Sequence, residues 1–216
     1  MDDQPGGQEP AIMGALKKIP LDFYQREDVL AVAHDLLGKV LVTDREGIRT
    51  SGRIVELEAY AGTTDRASHS FGGRRTARNE VMYSEGGVAY VYLCYGIHHL
   101  FNVITGKKEV PQGVLIRALE PVAGVTDMLL RTGKKKADHT LTRGPGNVSR
   151  ALGLHTIDTN TPLNSKTIYL ADDGFRFDAK LIAQSPRIGV DYAGEDAKLP
   201  YRFYIKGNPY VSGKPK

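Results

Sequence analysis

Short strand-like segments constrain the fold of this chain more than any other feature of its sequence. Residues 53–60 alternate between apolar and polar side chains, and further apolar or tyrosine-rich runs occupy 40–42, 88–95, 100–104 and 114–119. Glycine-rich and charged residues separate these runs. Period-two alternation bounded by turn-forming residues is typical of strands joined by hairpins. We therefore expect one domain built on a largely antiparallel sheet.

A few helices and three late strands complete the predicted α+β fold. Pro121 and Pro145 suit the first turn of a helix, and Gly38 and Gly153 suit the position just after one. On this basis the predicted helices cover 29–37, 121–130 and 145–153, and late strands are expected at 167–171, 187–190 and 201–206.

Composition excludes several classes of protein. The chain has 216 residues, of which 41% are hydrophobic, enough for a sizeable core in one domain. The single cysteine, Cys94, excludes an intrachain disulfide and a cysteine-based zinc site. No apolar run is long enough to span a membrane, and the acidic start MDDQPGGQEP is unlike a secretory signal. We expect a cytoplasmic protein of bacterial type.

Charge and terminal composition give two further expectations. Lysine and arginine outnumber aspartate and glutamate by 29 to 25, which permits binding to a polyanion but does not identify it. Residues 1–18 are rich in glycine, proline and charged side chains, and we predict a disordered tail there. Residues 19–216 are then expected to form the single domain.

Polar side chains at the centres of two predicted strands are the first candidates for chemistry. Glu56, Glu58 and Tyr60 share one face of the strand at 53–60, although a half-solvated strand face would explain them equally well. Arg117 interrupts an apolar run, where an unpaired charge is costly. Glu58 or Glu56 on a neighbouring strand could pair with it, either in a functional site or in a purely structural ion pair.

Tyrosines mark the predicted hairpin that follows. Tyr90 and Tyr92 fall on the same face of their strand, where packing across strands would account for both. Tyr95 immediately precedes Gly96, at the expected tip of the hairpin. Because an exposed aromatic residue on a turn more often binds something than stabilises the fold, Tyr95 is a candidate binding residue.

A basic loop and three histidines are further candidates for binding sites. The loop at 72–79 combines two glycines with three arginines, Arg74, Arg75 and Arg78, and guanidinium forks suit phosphate oxygens, although such loops are often merely solvated. His69, His98 and His99 could in principle bind zinc. However, they lack the i, i+4 spacing of a helical zinc site, so we predict no metal.

Several strings of this sequence, taken in order, resemble the alkyladenine DNA glycosylase family, the 3-methyladenine DNA glycosylases of the mammalian type. They are RIVELEAY at 53–60, DRASHS at 65–70, GGRRT at 72–76, YVYLCYG at 90–96, VLIRALEP at 114–121 and RIGV at 187–190. The likeness covers about residues 20–212. It implies one domain with a curved, mostly antiparallel sheet flanked by helices, and hydrolysis of the bond between a damaged purine and deoxyribose.

The resemblance also implies a role for each matched residue. Glu58 would be the general base that activates water, and Arg117 would assist at the water and the neighbouring phosphate. Tyr95 would insert into the duplex where the nucleotide has left. The implied substrate-binding residues are Tyr60, Ala67, His69, Tyr92, Asn102 and Ile188, and the implied DNA-binding residues are Arg74, Arg75, Tyr95, Ile97 and His98.

The predicted function is therefore a monofunctional DNA glycosylase of base-excision repair that uses neither metal nor cofactor. It would act as a monomer on double-stranded DNA and remove purines such as 3-methyladenine, 7-methylguanine, hypoxanthine and ethenoadenine. One alternative is a non-catalytic module that binds lesions through the same face, and another is a metal-dependent nuclease that uses the three histidines. The set of Glu58, Arg117 and His69 argues against a pure binding module, which has little use for an aligned carboxylate.

Overall fold

In the computed structural model, residues 15–213 are described, and their strands form one antiparallel sheet. The strands are β1 (Lys17–Lys18), β2 (Val40–Arg45), β3 (Ile48–Tyr60), β4 (Ala89–Cys94), β5 (His98–Thr105), β6 (Gln112–Ala123), β7 (Ile168–Asp172), β8 (Ile182–Ser185) and β9 (Arg202–Ile205). The α-helices are α1 (Val29–Leu36), α2 (Val125–Thr132) and α3 (Pro145–Leu152), and short 3-10 turns connect many of the elements. The predicted single-domain α+β class is confirmed.

Strand β3 is the centre of the sheet, whose order is β1-β7-β2-β3-β6-β5-β4. One edge of β3 pairs with β6, while the other edge pairs first with β2 and then, at 56–58, with β9. Buried apolar residues from all three α-helices pack with those of the sheet in one core. As a result both faces of residues 54–59 are buried, including Glu56 and Glu58. The interpretation of Glu56 and Glu58 as part of a half-solvated strand face is therefore wrong.

Local rules predicted most elements correctly. Asp28 caps α1 by accepting hydrogen bonds from two backbone N–H groups, and the chain leaves the helix through Gly38 in a left-handed conformation. Pro145 opens α3, which ends at Gly153, also left-handed. The β2–β3 and β4–β5 hairpins form as expected, and residue Tyr95 lies at the tip of the second.

The predicted helix start at Pro121 is wrong. Strand β6 continues through this proline to Ala123, and α2 begins only after Gly124, which is left-handed. Pro121 pairs with Gly52 beside a register shift between Ser51 and Gly52. A bulge is one of the few places where a strand accepts a residue without an N–H group.

The predicted strand at 187–190 is also wrong. This segment forms a loop, in which Gly189 has a φ of 78°, outside the range of an extended strand. The chain instead forms β8 just before it, and β8 pairs with β9. The loop carries Ile188 towards β3, where its backbone takes part in the site described below.

The structure describes only residues 15–18 of the predicted tail at 1–18. Residues 1–14 of the predicted tail lie outside the described residues, whereas Lys17 and Lys18 pair with β7. Order therefore reaches at least two residues into the range predicted to be a tail. No helix in 15–213 has the length and apolar character needed to cross a membrane.

Candidate active site

An aromatic cavity opens beside strands β3, β4 and β5. Its wall consists of Tyr60, Ala67, Ser68, His69, Met82, Tyr90, Tyr92, Asn102, Ile104, Gly113 and Tyr192. The wall thus includes all the predicted substrate-binding residues except Ile188. Its aromatic side chains suit a flat ligand.

Strand alternation explains how the aromatic side chains converge. Tyr90 and Tyr92 lie two residues apart on β4, with ring centroids 5.4 Å from each other. Asn102 is the β5 partner of Tyr90, and its amide donates to the Tyr90 carbonyl oxygen at 3.2 Å. His69 joins from the loop after β3, with its ring centroid 4.6 Å from that of Tyr92.

His69 is held as a neutral imidazole. Burial lowers its pKa to about 4, and the charges of Arg78 and Arg74 act in the same direction. Its Nδ1 lies 3.0 Å from the hydroxyl of Tyr90, whose own pKa burial raises to about 12. At neutral pH this wall of the cavity therefore presents two uncharged hydrogen-bonding groups.

The low pKa of His69 makes stability depend on pH. An unfolded histidine has a pKa near 6.5, so between about pH 4 and 6.5 the unfolded chain binds a proton that the folded chain excludes. The stabilisation is complete above that window and is lost as the pH falls through it. We expect His69→Gln to remove a slope of up to about 1.4 kcal/mol per pH unit from the free energy of unfolding.

Urea denaturation at several pH values measures this effect. His34→Gln, which replaces an exposed histidine on α1, is the matched control and should keep the slope of the wild type. Parallel curves for wild type and His69→Gln between pH 4 and 6.5 would contradict the prediction.

Glu58 lies behind the wall of the cavity, and its side chain is completely buried. Its Oε1 accepts a hydrogen bond from the backbone N–H of Ile188 at 2.7 Å and lies 3.3 Å from Nη1 of Arg117. Its Oε2 accepts the hydroxyl hydrogen of Tyr60 at 2.9 Å. Tyr60 therefore connects the cavity directly to a buried carboxylate, and the loop of Ile188 completes the environment of that carboxylate.

The environment of Glu58 keeps both Arg117 and Tyr60 protonated. Burial alone would lower the pKa of Arg117, but the carboxylates of Glu58 and Glu56 outweigh it and raise that pKa. Burial and the charge of Glu58 raise the pKa of Tyr60 well above its usual value of 10, so its hydroxyl remains a donor. Arg117 contacts Glu56 as well as Glu58, which confirms the expected pairing of Arg117 with a neighbouring carboxylate.

A second buried ion pair, between Asp65 and Arg187, was not predicted. The two Asp65 oxygens lie 2.6 and 2.8 Å from the guanidinium nitrogens, and they also accept the backbone N–H groups of Ala61 and Ala67. The guanidinium carbon lies 4.8 Å from the centroid of the Tyr60 ring. This pair ties the loop of Ala67 to the loop of Ile188. Both residues lie within the family-like strings, but nothing local showed that they pair.

Tyr192 is a further wall residue that sequence reasoning missed. It is 72% exposed, and its hydroxyl donates to the carbonyl oxygen of Ala67 at 3.1 Å. It lies in an irregular 3-10 segment, so no periodic pattern signalled it. Tyr90 could have been found, because its alternation with Tyr92 already placed both rings on one face.

The predicted DNA-binding residues lie outside the cavity. Tyr95 is 90% exposed at the β4–β5 turn, and Ile97 and His98 are exposed beside it. Arg74 borders a small second cavity next to His69. Arg75 instead pairs with Glu80 and Glu109, so its charge is balanced within the protein and its role as a DNA contact stays a prediction.

The three histidines considered as zinc ligands do not lie together. His69 lies in the cavity wall, whereas the ring of His99 packs against that of His155, with centroids 4.9 Å apart. Within residues 15–213, no three side chains of the metal-ligating types come together.

Comparisons with known proteins point to one family. Residues 22–209 match the family model for methylpurine-DNA glycosylase. A protein of Chlamydia abortus is 49% identical over 189 residues, which cover 87% of this chain and 97% of that protein. A protein of Bacillus cereus (strain G9842) is 49% identical over 204 residues, covering 90% and 98%, respectively. Both carry the name "Putative 3-methyladenine DNA glycosylase". The resemblance is confirmed: the chain belongs to the methylpurine-DNA glycosylase family and is a hydrolase of the DNA N-glycosylase type.

Proposed function

We propose that this protein is a monofunctional base-excision repair glycosylase that removes alkylated or deaminated purines from double-stranded DNA. Its substrates would be lesions of the 3-methyladenine, 7-methylguanine, hypoxanthine and ethenoadenine type. It would act as a monomer and without a cofactor. The observation that supports this most strongly is an aromatic cavity joined through Tyr60 to the buried carboxylate of Glu58.

The aromatic lining of the cavity favours base flipping. A nucleobase can contact these walls only after the damaged nucleotide has left the base stack. Tyr60, Tyr92 and His69 offer ring faces to a flat purine, and a cationic methylated purine gains cation–π attraction in addition. Tyr95 projects from its turn as the group that would fill the gap in the duplex.

Glu58 is the proposed general base. The bond between C1′ and the purine nitrogen breaks, the base leaves with the bonding electrons, and water adds to C1′ while Glu58 takes its proton. A carboxylate oxygen can accept two hydrogen bonds, and from the residues at 15–213 Oε2 accepts only that of Tyr60, which leaves a lone pair for water. A cationic methylpurine needs no added proton to leave. Among the described residues that line the cavity there is no lysine, so a Schiff-base lyase step is not expected.

Release of a free base from defined lesions tests this function. Single-turnover reactions use duplex oligonucleotides that each carry one hypoxanthine, ethenoadenine or methylated purine, with and without a chelator. We expect base release that the chelator does not affect, followed by strand cleavage only after alkali. Tight binding without release would support the lesion-binding module, and chelator-sensitive strand cleavage would support the nuclease.

Tyr95→Ala tests the proposed wedge. Stacking of an aromatic side chain on a base contributes about 1–3 kcal/mol, so excision from a duplex should slow by roughly 5- to 150-fold. Excision from a single strand should change much less, because no gap has to be filled. The unfolding midpoint should not move, since the side chain is exposed. Leu130→Ala, at an exposed apolar residue on α2, is the control. Equal slowing on single and double strands would contradict a wedge.

A further inference from the structure

A second carboxylate, Glu56, is as completely buried as Glu58, but the proposed reaction does not use it. Its Oε1 accepts hydrogen bonds from Nε of Arg117 at 3.1 Å, from Nε of Arg202 at 2.8 Å and from the hydroxyl of Ser212 at 2.9 Å. Its Oε2 accepts the backbone N–H of Ser212 at 2.6 Å. Glu56 is thus the hub of a buried network that reaches the C-terminal segment of the described chain.

This network holds two of the three nitrogens of the Arg117 guanidinium. Glu56 binds Nε, and the hydroxyl of Ser212 lies 3.2 Å from Nη2. The remaining nitrogen, Nη1, faces Glu58. Because a guanidinium is planar and rigid, holding Nε and Nη2 also sets the direction of Nη1.

Ser212 is itself held in place. Nη2 of Arg202 donates to its carbonyl oxygen at 2.6 Å, and Arg202 in turn is bound to Glu56 and Ser185. The next residue, Gly213, lies so close to the loop of Ile188 that an added Cβ would be 3.0 Å from the Ile188 side chain. The C-terminal segment therefore contacts both the arginine and the loop that surround Glu58.

We infer that Glu56 and Ser212 are positioning residues, which hold the Arg117 guanidinium in register with Glu58. The inference rests on the proposed role of Glu58 as general base. The negative charges of two carboxylates and the positive charges of two guanidiniums balance in this buried cluster, so neither guanidinium is buried without a carboxylate. The C-terminal segment at 212–213 becomes part of the active-site assembly, although it does not line the cavity.

Glu56→Gln tests this inference, because the amide keeps the shape of the side chain but presents N–H groups to the guanidiniums. Misplacement of a catalytic group by about 1 Å can cost about 100-fold in rate, and we expect base release to slow by about 10- to 100-fold. Affinity for lesion DNA should stay within about threefold of the wild-type value, since neither Glu56 nor Ser212 lines the cavity. Ser212→Ala removes one hydroxyl and no charge, and should slow release by about 3- to 10-fold.

A double-mutant cycle separates positioning from a merely structural role. Arg117→Lys keeps the charge but loses the planar fork, so adding Glu56→Gln to it should slow release by less than about twofold further. If the two substitutions instead slowed base release independently, so that the double variant showed the product of the two single effects, the inference would be overturned. Asp173→Asn is the control: it weakens the half-buried pair with Arg53, which lies on the same strand as Glu56, and should lower stability while the rate stays within about twofold.

The outcomes also distinguish this inference from the proposed function. If Glu58→Gln leaves base release intact, the general-base role itself is wrong. If Glu58→Gln abolishes release while folded Glu56→Gln and Ser212→Ala keep the wild-type rate, only the positioning role is wrong. Should Glu56→Gln fail to fold, Ser212→Ala and its cycle with Arg117→Lys decide the question.

Discussion

Glu58→Gln is expected to abolish base release while lesion DNA still binds. Glutamine has nearly the same shape: its amide oxygen can accept the Ile188 N–H, and its NH2 group can donate to the hydroxyl oxygen of Tyr60, which turns to accept it. Its amide cannot take a proton from water, and general-base catalysis contributes about 100- to 10,000-fold. Arg117 keeps its bond to Glu56, so the buried guanidinium is not left without a carboxylate. Affinity for the lesion duplex should therefore change by no more than about threefold.

Single-turnover base release and a fluorescence-anisotropy titration with the same oligonucleotide measure the two properties of this variant. Glu120→Gln, at an exposed position of β6, is the control and should behave as the wild type. A rate close to that of the wild type in Glu58→Gln would rule Glu58 out as the base. Loss of binding together with a lower unfolding midpoint would instead show that Glu58 serves the fold as the partner of Arg117.

Asp65→Asn is expected to have the largest effect on stability. The side chains of Asp65 and Arg187 are 1% and 0% exposed, so the variant leaves an arginine charge buried without its carboxylate. Breaking such a pair from one side costs about 3–5 kcal/mol. The loop that carries Ala67 and His69 should loosen as well, because both Asp65 oxygens accept backbone N–H groups at its start.

Urea denaturation at pH 7 measures the free energy of unfolding of this variant. Asp35→Asn is the matched control, because it removes the same charge from the pair with Arg26, whose side chains are 45% and 38% exposed. Exposed pairs contribute at most about 1 kcal/mol, so the control should unfold almost as the wild type does. A loss below about 1 kcal/mol in Asp65→Asn would contradict the assigned role of this pair.

Rules that act over a few residues were enough to predict much of the site. Alternation along a strand placed Tyr90 and Tyr92 on one face, and the structure puts both rings in the cavity wall. The cost of an unpaired buried charge required a carboxylate beside Arg117. The position before Gly96 predicted that Tyr95 would project from a turn, and it is exposed there. Each of these predictions needs only the spacing of neighbouring residues or the free-energy cost of burying one unpaired charge.

Other features depend on the register of distant segments. Pro121 suited a helix start by its local preference, but a bulge in β6, opposite Ser51 and Gly52 of β3, accepts it within the strand. Arg75 suited a phosphate contact, and nothing local showed that the folded chain also brings Glu109 to it from 34 residues away. In both places the neighbouring sequence does not show the partner that the fold supplies.

By itself the sequence determined the α+β class, the strands that carry the site, and the residues Glu58, Tyr60, Tyr92 and Tyr95 as its candidates. Only the tertiary structure decided that Arg117 contacts two carboxylates, that Asp65 pairs with Arg187, and that Ser212 binds Glu56 across 156 positions of the chain. The physical reason is that the alternation of side chains, and the free-energy cost of burying an unpaired charge, can be recognised within a single strand. The partner of a buried charge is set by which segments share an edge of β3, and the segments after β9 reach that edge only when the whole sheet has formed.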